Sequence, residues 1–315
     1  MAAAPPVFRI NGSEILRDGK PVVLRGVNTM HIFNGNPSDL RKWPGIDIAR
    51  EFVCNLKNAP LEPGATYYDE SHKWTLHSLQ ALATSNSQRG IVTLFCPFNW
   101  DGSDANTGFC GATPSKTAYY AGYKRRMQDW ARQFKGQPYV WIELWNEPYE
   151  QLRKTEDDAL WLSATSEMVD NLRSTGWDGI IVLSGAAWGQ DETVIERMGP
   201  QLLRGRQDII FDIHVYEQWL AHPETIPARV AALRAKRLPF LIGEFGPANG
   251  KTCYDTKPLL DAARANHISA LAWIYTAPNP GDHGGDFLLT HDYLPNDVSN
   301  FKWGSTFKAF LAEPH

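Results

Sequence analysis

Two glutamates carry the chemistry that is legible in this chain. Glu147 ends the apolar run YVWIELW, in the segment Trp145-Asn146-Glu147-Pro148, and Glu244 ends a second run, FLIGEFG. Carboxylates at the ends of two buried strands suit the cleavage of a glycosidic bond with retention. One carboxylic acid protonates the leaving oxygen while the other carboxylate attacks the anomeric carbon, the two standing about 5–5.5 Å apart. The roles demand different surroundings: an apolar wall keeps one carboxyl protonated, whereas cationic and hydroxyl donors keep the other charged. A lone glutamate after a strand is ordinarily a solvated loop residue. The flanking residues set these two apart, because Asn146 and Pro148 bracket the first and Gly243 and Phe245-Gly246 bracket the second.

Further polar and aromatic residues fall at comparable positions. Arg50, in GIDIAREF, offers a guanidinium fork that can hold a carboxylate ionised. Asn146 and Glu147 are adjacent, so a regular strand would send them to opposite faces. Both face one cleft only where the strand ends or bulges, and Pro148, which cannot donate to a ladder, agrees with an ending. His214 and Tyr216, in FDIHVYEQW, are two apart and share a face. Trp188 in IVLSGAAWGQ and Trp273 in ALAWIY close apolar runs, and Trp100 follows another in TLFCPFNWDG. The chain holds twelve tryptophans and eleven tyrosines; most are expected in the core, but rings at strand ends can stack on the apolar faces of sugars.

These residues need a scaffold that gathers many strand ends at one face. With 315 residues, 43% of them hydrophobic, the chain can bury the core of one barrel. Strand-length apolar runs recur eight times, at residues 22–27, 48–52, 91–96, 139–145, 180–184, 209–213, 240–243 and 270–274. Helical patterns lie between them, for example at 75–86, 118–134, 157–174, 226–235 and 257–266. This alternation is that of βαβ units and a parallel sheet. Residues 8–17, followed by the turn Asp18-Gly19-Lys20-Pro21, read as a small hairpin closing the barrel bottom. The expected fold is therefore α/β, a single (β/α)₈ TIM barrel forming one catalytic domain over residues 1–315. Polar stretches at 34–43, 61–74, 101–116 and 276–287 follow strands, where the loops of such a barrel build the active site.

Together the segments around Glu147 and Glu244 resemble the acid/base and nucleophile motifs of glycoside hydrolase family 5, whose (β/α)₈ enzymes act on β-linked polysaccharides. The resemblance runs over about residues 22–303. It implies that Glu147 is the acid/base and Glu244 the nucleophile. Arg50 looks like the family's second-strand arginine, Asn146 like the residue that contacts the sugar 2-hydroxyl, and Tyr216 like the hydroxyl that bonds the nucleophile. His214 then lies near the acid/base, and Trp273 forms a platform under the sugar at the cleavage point. The match departs at the third strand: many members carry a histidine there, but aligning Gly90 with the usual glycine puts Phe98 in its place. Asn99 or Trp100 then takes over the role. The segments VLRGVNTMHIF, IVLSGAAWGQ and FDIHVYEQW resemble the bacterial β-mannanase branch, in which Trp188 would stack on a sugar beside the cleaved bond.

The implied activity is that of a retaining endo-β-1,4-glycanase acting on mannan or glucomannan. An endo-β-1,4-glucanase and an exo-acting β-glycosidase of the same family are the alternatives, since Trp145-Asn146-Glu147-Pro148 fits all three. A non-catalytic carbohydrate-binding barrel is disfavoured because both glutamates are present. No cofactor is expected, and no metal, since the nine histidines include no HxH pair and no HExxH. A net charge of −4 with interspersed signs gives no surface for nucleic acid, and no apolar run reaches membrane-spanning length. A monomer is expected. The start, MAAAPPVFRI, has neither a charged nor an apolar signal region. A polysaccharide is too large to import, so the expectation is a secreted enzyme whose signal peptide an initiator Met has replaced. The cysteines are Cys54, Cys96, Cys110 and Cys253, with Cys96 and Cys110 a candidate disulfide.

Overall fold

Eight parallel strands close into a barrel, each hydrogen-bonded to the next and the last to the first. They are β1 (Arg25–Thr29), β2 (Ile48–Val53), β3 (Val92–Pro97), β4 (Val140–Glu143), β5 (Ile181–Ser184), β6 (Ile209–Val215), β7 (Phe240–Phe245) and β8 (Ala270–Ala272). The computed structural model describes residues 7–33, 35–103, 107–150, 152, 155–249, 252–275, 288–297 and 301–313. The strands are buried throughout, as expected of a parallel sheet covered on both faces. Inward and outward side chains alternate: Ile48, Trp141, Ile210 and Leu241 point into the barrel, while Ala49, Ile142, Phe211 and Ile242 join the layer under the helices.

The lower barrel is filled by an apolar plug. A three-stranded antiparallel sheet of Phe8–Asn11, Glu14–Arg17 and Lys20–Val22 brings Phe8 and Ile15 against Trp141, Val92 and Leu271. Phe8 meets Trp141 and Tyr139 edge-on at 5.7 Å each. The expected bottom hairpin is thus a three-stranded sheet, and it takes Val22, which pairs with Ile15, away from the first barrel strand.

The helices expected at 118–134, 157–174, 226–235 and 257–266 are present as Tyr120–Gln133, Thr155–Arg173, Ile226–Ala235 and Lys257–Ala265. The helix expected at 75–86 begins later, at Leu79, where Ser78 Oγ accepts from the Ala81 N–H at 3.3 Å. Its expected first turn is instead the strand Trp74–His77, paired antiparallel with Thr66–Asp69 in a hairpin inserted after β2. Two further helices are Thr193–Leu202, which contains Pro200, and Trp303–Leu311. Between β1 and β2 the outer element is a 3₁₀ helix, Pro37–Lys42, capped by Asn36. The stretch at 276–287 lies outside the described residues.

Phe8→Ala removes the ring that seals the plug and is expected to cost about 3–5 kcal/mol of stability. Urea unfolding should show a lower midpoint, with turnover at 25 °C unchanged because the opposite end of the barrel carries the site.

Candidate active site

The upper interior of the barrel is polar, and Arg50 is at its centre. Its side chain is fully buried, and each of its five N–H donors has an acceptor. Nε and Nη2 grip Glu143 at 2.6 and 2.8 Å. Nη1 donates to Asn28 Oδ1 at 2.9 Å and to Glu244 Oε1 at 2.5 Å, and Nη2 also reaches Asn146 Oδ1 at 2.8 Å. Asn28 is the direct partner of Arg50 across β1 and β2, and its amide donates to the Gly243 carbonyl at 2.9 Å.

Glu244 reaches this centre through a bulge. Ile213 pairs with Ile242 and His214 with Glu244, leaving Gly243 as the extra residue of β7. Leu241 points inward and Ile242 outward, so strict alternation would turn Glu244 out to the helices. The bulge turns it into the barrel. Only glycine fits at the bulge, because a Cβ on Gly243 would lie 1.9 Å from Asp212 Oδ1.

Glu147 arrives by a different irregularity. β4 ends at Glu143, Trp145 packs outward near Tyr123, and Glu147 takes a left-handed φ of 44°. Asn146 and Glu147 therefore both face the cleft. Glu147 Oε1 is 2.8 Å from His214 Nδ1, and His214 Nε2 is 3.1 Å from Asp212 Oδ2. One oxygen each of Glu147 and Glu244 and a nitrogen of His214 lie within 4.8 Å of one another. The Tyr216 hydroxyl donates to Glu244 Oε2 at 3.1 Å.

The charges of this cluster are interdependent. Burial alone would lower the His214 pKa, but the carboxylates of Glu244 and Asp212 and the hydrogen bonds to Asp212 and Glu147 raise it well above its usual value. Both ring nitrogens of His214 face carboxyl oxygens, an arrangement that favours the imidazolium, in which both donate. The three groups have the spacing of a cation site, but His214 Nδ1 and Nε2 are each already engaged by a carboxyl oxygen. Burial pushes Glu244 up to about 7, against the pull of His214 and Arg50. Burial, and then the Glu244 charge, also raises Tyr216 well above its usual value and keeps its hydroxyl a donor.

A cavity of about 410 Å³ opens above Glu147, Glu244 and Asn146. Trp273 forms part of its wall, edge-on to Phe52 at 4.8 Å. Phe98, Asn99 and the stacked pair His72 and Trp74 from the inserted hairpin line it too. Trp188 is 44% exposed and stands over Gly111, on the Glu147 side of the site. Trp100 corrects the sequence expectation. It stacks on Tyr119 at 5.9 Å and lies against Gly122 of the neighbouring helix, because the bridge between Asn99 and Gly108 turns Asn99 to the cavity and Trp100 away. The candidate disulfide is also absent: Cys96 and Cys110 are free, with the Asn146 side chain between their sulfurs at 3.7 and 3.3 Å.

Glu143, Asp212 and Asn28 were not anticipated as site residues. Glu143 and Asp212 had a signal in the sequence, each being a polar side chain at an inward position of a largely apolar strand, whereas Asn28 lies in the mixed strand Arg25–Thr29. Glu143 follows Trp141 by two and Asp212 precedes His214 by two.

The chain matches the Cellulase (glycosyl hydrolase family 5) family over residues 66–279. It is 24% identical over 311 residues to a mannan endo-1,4-beta-mannosidase of Streptomyces lividans, covering 96% of this chain and 74% of that protein. The crystal structure of a beta-mannanase from Streptomyces thermolilacinus superposes with a TM-score of 0.70 at 21% identity, over 95% of this chain and 93% of that one. That enzyme has also been solved with mannohexaose. The cellulase Cel5C_n superposes with a TM-score of 0.69 at 18% identity, over 98% of this chain and 92% of that one. At these identities the structural likeness establishes the fold.

Arg50→Ala would leave Glu143 buried without its cation, and is expected to cost about 3–5 kcal/mol. Chemical denaturation of the variant beside Glu143→Gln/Arg50→Ala measures this, the double variant recovering part of the loss.

Proposed function

The chain belongs to glycosyl hydrolase family 5, and from that premise we propose that it is a retaining endo-β-1,4-glycanase acting on β-mannan or glucomannan. The carrying observation is the approach of Glu147 and Glu244 oxygens to within 4.8 Å. Such closeness fits direct attack by one carboxylate, whereas inverting enzymes hold theirs about 6.5–9.5 Å apart to admit a water. The choice of mannan rests on the Streptomyces relative named above; β-1,4-glucan is the second reading, favoured by the likeness to the cellulase.

In this mechanism Glu244 attacks the anomeric carbon as the anion. The C–O bond to the leaving sugar breaks, and Glu147 gives its proton to the departing oxygen. Glu147, now a carboxylate, takes a proton from water, and the resulting attack releases the sugar and restores Glu244. Arg50 and Tyr216 hold the attacking carboxylate. Burial raises its pKa and hence its basicity, and His214 and Arg50 offset part of that rise. Asn146 is anchored by Arg50 beside Glu147, in position for the sugar 2-hydroxyl. Trp273 and Trp188 offer rings to the sugars on either side of the broken bond.

We further propose that the chain works as one catalytic domain, as a monomer, and outside the cell, where its polymer substrate is found. Among the described residues no helix is long and apolar enough to cross a membrane.

Reducing-sugar release on galactomannan, carboxymethyl-cellulose and xylan, with Glu244→Gln as the blank, tests the reading. Galactomannan is expected to be cleaved fastest, and Glu244→Gln to lose several orders of magnitude in kcat while remaining folded. Cleavage of glucan alone would move the assignment to the second reading. A further expectation concerns pH: since the nucleophile acts as the anion and its pKa is raised, kcat/KM should fall about tenfold per pH unit below an apparent pKa higher than the ordinary 4.5 of glutamate. A pH–rate profile at low substrate measures that limb.

A further inference from the structure

Cys110 has no place in the mechanism above, yet its sulfur touches two of the residues proposed to carry it. Cys110 Sγ lies 3.4 Å from Glu147 Oε2 and accepts from the Asn146 side-chain amide at 3.3 Å. The contact is held from both sides. The Gly111 N–H donates to the Glu147 carbonyl at 2.8 Å, and the Tyr149 N–H donates to the Ala112 carbonyl at 2.7 Å. On the other flank Phe109 is fully buried against Tyr119 and Tyr123, at 5.7 and 4.8 Å, and its N–H bonds the Phe98 carbonyl. The backbone that carries Cys110 is thus tied to the backbone that carries Glu147.

We propose that the Cys110 thiol is a positioning residue for Glu147, steadying the carboxyl oxygen that exchanges a proton with the leaving group. The proposal rests on the two-carboxylate reading. Glu147 Oε1 faces His214 Nδ1, and the other ring nitrogen faces Asp212; with that ring donating, the transferable proton belongs on Oε2, the oxygen facing Cys110. A thiol both donates and accepts. It can accept from the protonated carboxyl before the first step and donate its S–H to the carboxylate after it, without giving up a proton in either. Cys110 as a residue is exposed, yet desolvation at its sulfur and the neighbouring Glu147 carboxylate raise the thiol well above its usual value, so it stays protonated and does not compete as a nucleophile.

The effect separates from a merely structural one by its dependence on the leaving group. Protonation matters for a sugar leaving group and hardly at all for 2,4-dinitrophenolate. Cys110→Ala is expected to lower kcat/KM about three- to tenfold on the preferred polysaccharide, and to leave kcat/KM unchanged on the matching 2,4-dinitrophenyl β-glycoside. Cys110→Ser, whose hydroxyl also donates and accepts, should restore most of the loss. An equal loss on both substrates, or none on either, overturns the role given to the thiol. A wild-type enzyme inactive on both overturns the two-carboxylate reading and the thiol's role together.

Discussion

The buried guanidinium of Arg50 is the constraint on which the upper half of the barrel depends. Removing such a group from water costs several kcal/mol, and only a complete set of acceptors offsets it. Here the acceptors come from three segments far apart in the chain: Asn28 on β1, Glu143 on β4 with Asn146 just beyond its end, and Glu244 on β7. Satisfying one side chain therefore brings these three segments into register with β2. The proposed nucleophile is held before any substrate arrives, and such preorganisation lowers the reorganisation needed in the transition state.

Both carboxylates stand where the barrel departs from regularity. Strict alternation delivers one inward side chain every second residue, and it delivers Arg50, Glu143, Asp212 and His214. It cannot deliver two adjacent residues to one cleft, nor reverse the facing of Glu244. The bulge at Gly243 achieves the reversal, and the left-handed backbone of Glu147 achieves the adjacency. A positive φ at a non-glycine residue is a local strain, and the bond from the Gly111 N–H to the Glu147 carbonyl helps to hold it. The apolar plug beneath is regular and tightly packed, so the lower barrel supplies stability that the strained upper rim draws upon.

Those two kinds of structure differ in how far the sequence discloses them. Strand-length apolar runs are local signals, and all eight barrel strands follow from them to within a few residues. The pairing of His214 with Tyr216 follows from a spacing of two, and the end of β4 from Asn146, Glu147 and Pro148 together. Long-range features were not disclosed. The bulge residue must be glycine because Asp212, on a neighbouring strand, fills the space that a Cβ would occupy. Trp100 was misplaced because the bridge between Asn99 and Gly108 reverses the facing of consecutive residues. Trp74–His77 has helix-forming residues on its C-terminal side, yet its pairing with Thr66–Asp69 decides its conformation. Glu143 and Asp212 were legible in principle, since burying a charge on an inward face requires a partner there.

The division between charge network and loops also explains why the motif alone separates the sugars poorly. The network has little freedom: Arg50, His214 and Glu143 are fully buried and bonded on every side, so their geometry follows the reaction and not the identity of the sugar. Mannose and glucose differ by the direction of one hydroxyl, and a single hydrogen bond to it is worth about 0.5–1.5 kcal/mol. Side chains free to vary must supply that difference. The cavity-lining side chains outside that network include Phe98 and Asn99 at the end of β3, and His72 and Trp74 on the inserted hairpin. Asn99 is itself fixed, accepting from the Gly102 N–H, while Asp69 draws the hairpin to the same place through Asn55. The cavity wall is thus built as a unit from two loops, apart from the carboxylates that Arg50 and His214 hold.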